Sequence, residues 1–176
     1  MSWRKEDWSE WPVERWVGAY GDAAHVRAVR DILLRLPDRN RRRLVEITCG
    51  ASPRLPWLEA QFADVVAVDL EQGALPELPA SSAVLAVDTL PARALPELLP
   101  TIHASLDEGG VFVATLAAPA NPSLPIDMLG PMRSDDVHEV ELQYRLRRAG
   151  FQGLRLRRFR DDPPIVLAMA VRRALN

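Results

Sequence analysis

Three residues in the first half of the chain have types and spacing suited to binding a nucleoside. Glu46 lies within one apolar run, Gly50 follows that run, and Asp69 lies at the end of a second apolar run, nineteen residues after Gly50. In nucleotide-type α/β domains, a glycine turn after the first strand admits the ligand, and a carboxylate at the end of the next strand accepts hydrogen bonds from ribose hydroxyls. The three residues therefore outline an adenosine site.

The strands that must position these residues follow from the apolar pattern. Buried strands are rich in β-branched and other apolar residues and are bounded by turn residues. Ser52 is the predicted N-cap, and Pro53 the first residue, of a helix that joins the first two strands. Six strands are predicted, near residues 43–49, 64–69, 83–88, 110–116, 153–160 and 165–172.

Further helices are predicted between the other strands. Residues 23–36 carry apolar side chains at intervals of three and four, which indicates one buried helical stripe. Residues 95–106 fit a second helix, and residues 107–110 (DEGG) predict a tight turn into the fourth strand. A further helix is predicted to begin at Ser134, an N-cap followed by acidic residues, and to end at Gly150.

This alternation predicts an α/β fold with a mostly parallel sheet, and the short final connection requires an antiparallel C-terminal strand. The sequence is long enough for one domain, with 176 residues of which 48% are hydrophobic. We therefore expect an α/β domain over residues 23–176, preceded by a Trp-rich segment at residues 1–22.

Composition excludes several classes of protein. The formal charge of −2 and the pI near 5.9 provide no overall attraction to nucleic acid or to an anionic membrane. Cys49 is the only cysteine, which excludes an intramolecular disulfide. No apolar stretch approaches the roughly 20 residues needed to cross a bilayer. The N-terminal residues lack an apolar signal core, so a cytoplasmic location is predicted.

Over roughly residues 23–172, the chain resembles the class I S-adenosylmethionine-dependent methyltransferases. The segments that carry the resemblance are VEITCGASP, VVAVDL, SLDEGGVFVATL and LRRAGFQGLRLRRF. They are similar to the family's cofactor loop, its ribose-binding strand, its late strand and its C-terminal helix and strand. The resemblance implies a Rossmann-like three-layer sandwich, S-adenosylmethionine as cofactor and a small-molecule methyl acceptor.

The resemblance also implies roles for particular residues. Glu46 and Gly50 would lie against the methionine portion, Asp69 would hold the ribose, and Asp88 would lie at the pocket mouth as a catalytic base. We expect the three carboxylates to converge on one cleft, because ligands of open α/β sheets bind at the carboxyl ends of the strands. The implied cofactor-binding residues are Glu46, Thr48, Gly50, Ser52, Asp69 and Leu70.

Two departures from the family's pattern weaken the predicted site. Thr48 and Ser52 replace two of the three loop glycines, so side chains stand where the family leaves bare backbone. Only about a dozen residues separate Asp69 from the third strand, whereas the family inserts a helix and a strand there. The sheet is therefore predicted to lack one strand and one helix on the adenine side.

Three hypotheses of function follow. The favoured one is a methyltransferase-like protein that no longer catalyses and acts through protein contacts. The second is an active small-molecule methyltransferase. The third is a nucleic-acid-binding module that uses the Arg-rich residues 145–160. In the predicted strand at residues 153–160, Leu154 and Leu156 alternate with Arg155 and Arg157. The same alternation is typical of a half-exposed strand, so nucleic acid is the least favoured partner.

Rival sites are weaker still. A NAD-binding loop needs free N–H groups at the helix start, and Pro53 removes one. A nucleophilic Cys49 would need a partner, but each histidine falls in a predicted helix without a partnering pattern. The acidic residues near the start of the fourth predicted helix fit a solvated, capped helix better than a metal site. These residues are Asp135, Asp136, Glu139 and Glu141.

The Trp-rich N-terminal segment is surplus to the expected core. We predict that it either covers the cofactor cleft as a lid or forms the contact surface for a protein partner, since large aromatic residues are enriched at interface hot spots. An equally favoured alternative is that the tryptophans only pack against the outside of the first long helix. The tryptophans are Trp3, Trp8, Trp11 and Trp16.

Overall fold

The computed structural model describes residues 23–48, 55, 57–70, 77–119, 137–160 and 164–173, which form one sheet with helices on both faces. Short 3-10 helices lie at Asp38–Asn40 and Ala92–Ala94. The longer elements, in chain order, are α1 (Ala24–Leu34), β1 (Arg43–Thr48), β2 (Asp64–Asp69), β3 (Ser81–Val87), α2 (Leu95–Ser105), β4 (Leu106–Ala117), α3 (Glu139–Arg148), β5 (Phe151–Phe159) and β6 (Ile165–Arg172).

The sheet has the strand order β2-β1-β3-β4-β6-β5. Strands β1 to β4 run parallel to one another, whereas β6 is antiparallel to both β4 and β5. The six predicted strands and the antiparallel final strand are thus confirmed. The chain moves outwards from β1 to β2 and then returns across β1 to β3. This reversal is a topological switch point, where open α/β sheets bind their ligands.

Two hydrophobic clusters cover the two faces of the sheet. On one face, the stripe of α1, formed by Val26, Val29 and Leu33, packs with Leu44 of β1 and Leu85 of β3. The predicted helix over residues 23–36 is confirmed by this packing. On the other face, α2 and α3 pack against the remaining side chains of β1, β3 and β4. The result is a three-layer sandwich, as predicted.

The helix predicted after β1 is not present in the part of this connection that the structure describes. Residues 57–61 form turns, in which the Leu58 N–H donates to the carbonyl of Leu55 and the Phe62 N–H donates to that of Leu58. Prolines at positions 53 and 56 remove two backbone donors from the segment, which disfavours a continuous helix.

Two predicted boundaries were wrong. Helix α3 begins at Glu139 instead of just after Ser134, and its N-cap is His138, whose Nδ1 accepts the Val140 N–H at 3.2 Å. The turn predicted at residues 107–110 lies within β4, where the register with β3 shifts between Ser81 and Ala83. The two glycines of this segment therefore form an irregular part of the strand.

None of the helices in the part of the chain that the structure describes has the length and apolar character needed to span a bilayer.

His103, near the end of α2, predicts how stability depends on pH. Burial, aided by the positive charge of Arg172, lowers the pKa of His103 below its ordinary value of 6.5, although a hydrogen bond with the Gly150 backbone opposes the shift. The unfolded chain therefore binds this proton more readily than the folded chain, so stability is lost as the pH falls below about 6.5.

We expect urea unfolding midpoints to decrease between pH 7.5 and 5.5, and a His103→Gln variant to show a smaller decrease. An equal decrease in both proteins would assign the effect to other groups.

Candidate active site at the carboxyl ends of the parallel strands

Glu46 and Thr48 are placed by β1. Side chains alternate along a strand, and Leu44 packs in the cluster that contains α1, so Glu46 and Thr48 lie on the α1 face of the sheet. Both are buried, and the Glu46 Oε1 accepts the Leu55 N–H at 3.4 Å. The Thr48 hydroxyl donates to the Val68 carbonyl, also at 3.4 Å. The polar end of Thr48 is therefore turned towards the backbone of β2.

Asp69 is the last residue of β2 and pairs in register with Thr48. Its side chain is half-buried. Hydrogen bonding continues past it, because the Leu70 N–H donates to the Thr48 carbonyl at 2.9 Å. Asp69 and Leu70 are thus fixed at the carboxyl end of β2, directly beside the end of β1.

Asp88 follows β3 and has a backbone φ of 53°, in the left-handed region that non-glycine residues seldom adopt. The Asp88 N–H donates to the Thr115 carbonyl at 3.2 Å and to its Oγ1 at 2.9 Å. The Thr115 hydroxyl in turn donates to Asp88 Oδ1 at 2.7 Å. The Nε2 of His25, in the first turn of α1, lies 2.9 Å from Asp88 Oδ2. Thr115 and His25 therefore fix the orientation of the Asp88 carboxylate.

The ends of β1 and β3 are also joined directly. Thr89, the residue after Asp88, donates its hydroxyl hydrogen to the Ile47 carbonyl at 3.0 Å. With the pairing of β1 and β2, this bond brings the strand ends that carry Glu46, Asp69 and Asp88 to the same edge of the sheet. The assignment of these residues to ligand binding stays a prediction.

Several predicted site residues lie outside the described part of the chain. Gly50 and Ser52 of the cofactor loop are among them, as is Cys49. The same holds for Trp3, Trp8, Trp11 and Trp16, so the lid and interface hypotheses stay predictions.

Sequence reasoning missed the partners of Asp88. One of them is His25, which contacts Asp88 from a position 63 residues earlier in the chain. No local spacing indicates such a contact. Thr115 was within reach of prediction, because adjacent parallel strands place it opposite Val87, immediately before Asp88.

The fold is similar to that of solved methyltransferases. An S-adenosylmethionine-dependent methyltransferase from Mesorhizobium loti superposes with a TM-score of 0.65 at 17% identity, covering 87% of this chain and 100% of the other. The 1,6-didemethyltoxoflavin-N1-methyltransferase from Burkholderia thailandensis, solved with bound 1,6-didemethyltoxoflavin and S-adenosylhomocysteine, has a TM-score of 0.60 at 17% identity, covering 92% of this chain and 87% of the other. A Haemonchus contortus phosphoethanolamine N-methyltransferase, also bound to S-adenosylhomocysteine, has a TM-score of 0.62 at 12% identity, covering 84% and 53%.

The chain therefore has the Rossmann-like α/β fold of the class I S-adenosylmethionine-dependent methyltransferases. In the described residues it is a shortened version with six strands. No model of a known protein family matches the sequence, and no curated protein does.

Proposed function

We propose that this protein is an S-adenosylmethionine-dependent methyltransferase that acts on a small molecule. The observation that carries the proposal is the network of Asp88, Thr115 and His25 at the carboxyl edge of the sheet. A left-handed φ is uncommon at non-glycine residues, although aspartate adopts it more readily than most, and such conformations persist where surrounding contacts hold them, often at functional sites. A carboxylate held in this way at a ligand-binding edge fits a catalytic role better than a purely structural one.

The cofactor would bind beside this network, across the ends of β1 and β2. Glu46 would face the methionine portion and Asp69 the ribose, with Thr48, Gly50, Ser52 and Leu70 lining the same crevice. The orientation of Thr48 is compatible with this arrangement, because its hydroxyl is turned to the Val68 carbonyl. When bound, S-adenosylmethionine supplies an electrophilic methyl group on a sulfonium centre. The protein's part is to place the acceptor in line with that group.

The second candidate is the non-catalytic methyltransferase-like protein that acts through protein contacts. It is favoured by the position of β2, which is the outermost strand on its side of the described sheet. Only residues 70–80 connect β2 to β3. A connection of this length is too short to supply the helix and strand that would line one side of an adenine pocket. Under this candidate, the four N-terminal tryptophans would supply the surface for the partner.

Calorimetric titration with S-adenosylhomocysteine, followed by an assay with methyl-labelled S-adenosylmethionine and a set of small acceptors, separates the candidates. The methyltransferase proposal predicts saturable binding and transfer of label to at least one acceptor class. Binding without transfer would favour the non-catalytic candidate. Absence of both at millimolar ligand would contradict the methyltransferase proposal.

A further inference from the structure

The outward side of α3 carries large apolar side chains that the fold does not bury. Leu142 and Leu146 form the buried stripe of this helix. On the opposite side, Val140 is 63% exposed and Tyr144 is 62% exposed, the highest values for large hydrophobic residues in the part of the chain that the structure describes. Residues four apart on a helix are neighbours on its surface, so Val140 and Tyr144 form one apolar patch.

Opposite charges lie at the two ends of this patch. Glu141 is in the first turn of α3, and its side chain is 31% exposed. Arg147 and Arg148 are in the last turn and are exposed. Arg145 donates to Glu141 Oε1, and within the described residues no donor bonds Glu141 Oε2 or forms an ion pair with Arg147 or Arg148. Both ends of the patch can therefore bind further charged groups.

The spacing of these residues is symmetric about Tyr144. Glu141 lies three residues before Tyr144, and Arg147 lies three residues after it. Val140 and Arg148 lie four residues before and after it. When two identical helices pair antiparallel about a two-fold axis, residues at equal distances from the axis face one another. With the axis at Tyr144, Glu141 of each copy faces Arg147 of the other, and the aliphatic part of Arg148 covers Val140.

We infer that α3 is a self-association surface, at which two copies of this chain form an antiparallel, two-fold symmetric dimer. Tyrosine and arginine are enriched at protein interfaces and their hot spots, whereas a helix face that meets only solvent is usually charged or polar. The patch is complementary in charge to itself, so a second copy supplies the acid and the bases at the required spacing. The inference is independent of the proposed function, because α3 contains none of the predicted site residues.

The edge strand β5 is less suited to pairing two copies. It is the outermost strand on its side of the described sheet, and its pairing with β6 is irregular between Gln152 and Arg155. Gly153, within that irregular part, has a φ of 59°. Irregular strands with exposed charges oppose pairing between sheet edges. Two antiparallel copies of β5 would also bring the exposed Arg155 and Arg157 of both chains together, which is unfavourable.

The dimer is expected to be weak, because α3 has only ten residues. One face of such a helix is smaller than the roughly 800 Å² per partner of a standard interface. In sedimentation equilibrium of the full chain, we expect a dissociation constant of about 10–300 µM, typical of a small transient interface. A protein that stays monomeric at about 1 mM would overturn the inference.

Charge reversal tests the antiparallel arrangement. Glu141→Arg and the double variant Arg147→Glu/Arg148→Glu should each weaken self-association at least about tenfold, because like charges then face one another. An equimolar mixture of the two variants should associate about as tightly as the unmodified protein, since each variant supplies the charge that the other needs. Far-UV circular dichroism checks that both variants are folded. Failure of the mixture to associate would overturn the inference.

The apolar centre of the surface is tested by Tyr144→Ser, which should weaken self-association at least about tenfold, as expected for a central aromatic residue. The matched control is Arg155→Glu on β5, an exposed residue outside α3, which should leave the dissociation constant unchanged. Amide NMR shifts at Val140, Tyr144 and Arg147 should depend on protein concentration. Association that persists in Tyr144→Ser and in both charge variants, or that Arg155→Glu alone abolishes, would assign the contact to another surface and overturn the inference.

Discussion

Replacing Phe112 with alanine is expected to lower the free energy of unfolding by about 3–5 kcal/mol, the range for removing a buried aromatic ring. Phe112 lies in the middle of β4, paired with Val84 on one side and Ala170 on the other. It is 1% exposed, and its ring centroid lies 5.6 Å from that of Phe151. Its side chain lies in the buried cluster between the sheet and helices α2 and α3, where close-packed neighbours can fill the cavity only in part.

The prediction is tested by urea unfolding monitored by far-UV circular dichroism. Val140→Ala on α3 is a matched control, since Val140 is 63% exposed and its truncation should change stability by less than about 0.5 kcal/mol. Similar small effects for the two variants would mean that the sheet does not pack against α2 and α3 as described.

Replacing Asp69 with alanine is expected to weaken binding of S-adenosylhomocysteine about 30-fold. Hydrogen bonds to a charged group contribute about 1.5–3 kcal/mol, and about 2 kcal/mol corresponds to that factor. Asp69 is held at the end of β2 by pairing with Thr48 on β1 and by the Leu70 hydrogen bond that follows. The ribose hydroxyls of the ligand would be the groups that lose their acceptor.

Asp64→Ala is the control for this measurement. Asp64 is the first residue of the same strand, so it lies at the amino end of β2, away from the predicted site. Its partner is Arg43, with Nε–Oδ2 at 2.6 Å, and both side chains are about half exposed. Such surface pairs contribute little to stability, so the control should bind like the unmodified protein. Equal affinity in Asp69→Ala and Asp64→Ala would remove Asp69 from the site.

The sheet could be predicted from the sequence because its signals are local. Runs of β-branched residues define β1 to β4, and the stripe on α1 follows from spacing at intervals of three and four. The short link between β5 and β6 requires an antiparallel pair, which fixes the direction of the last strand. These patterns depend on the chain's own periodicity and need no knowledge of distant contacts.

The features that the sequence did not predict depend on tertiary interactions that compete with or add to local ones. Ser134 is a residue type that often caps helices, but α3 begins at Glu139, and its N-cap is His138. The contact between His25 and Asp88 joins α1 to the end of β3, and its geometry depends on the left-handed turn at Asp88. Neither feature has a signal in the spacing of residues.

The central claim is that the carboxyl edge of β1, β2 and β3 binds S-adenosylmethionine. The most direct test is an NMR titration of the uniformly ¹⁵N-labelled protein with S-adenosylhomocysteine. We expect saturable shifts at the backbone amides of Thr48, Asp69 and Asp88, with none at Arg43 and Asp64 on the opposite edge. Shifts confined to that opposite edge, or none at millimolar ligand, would contradict the claim.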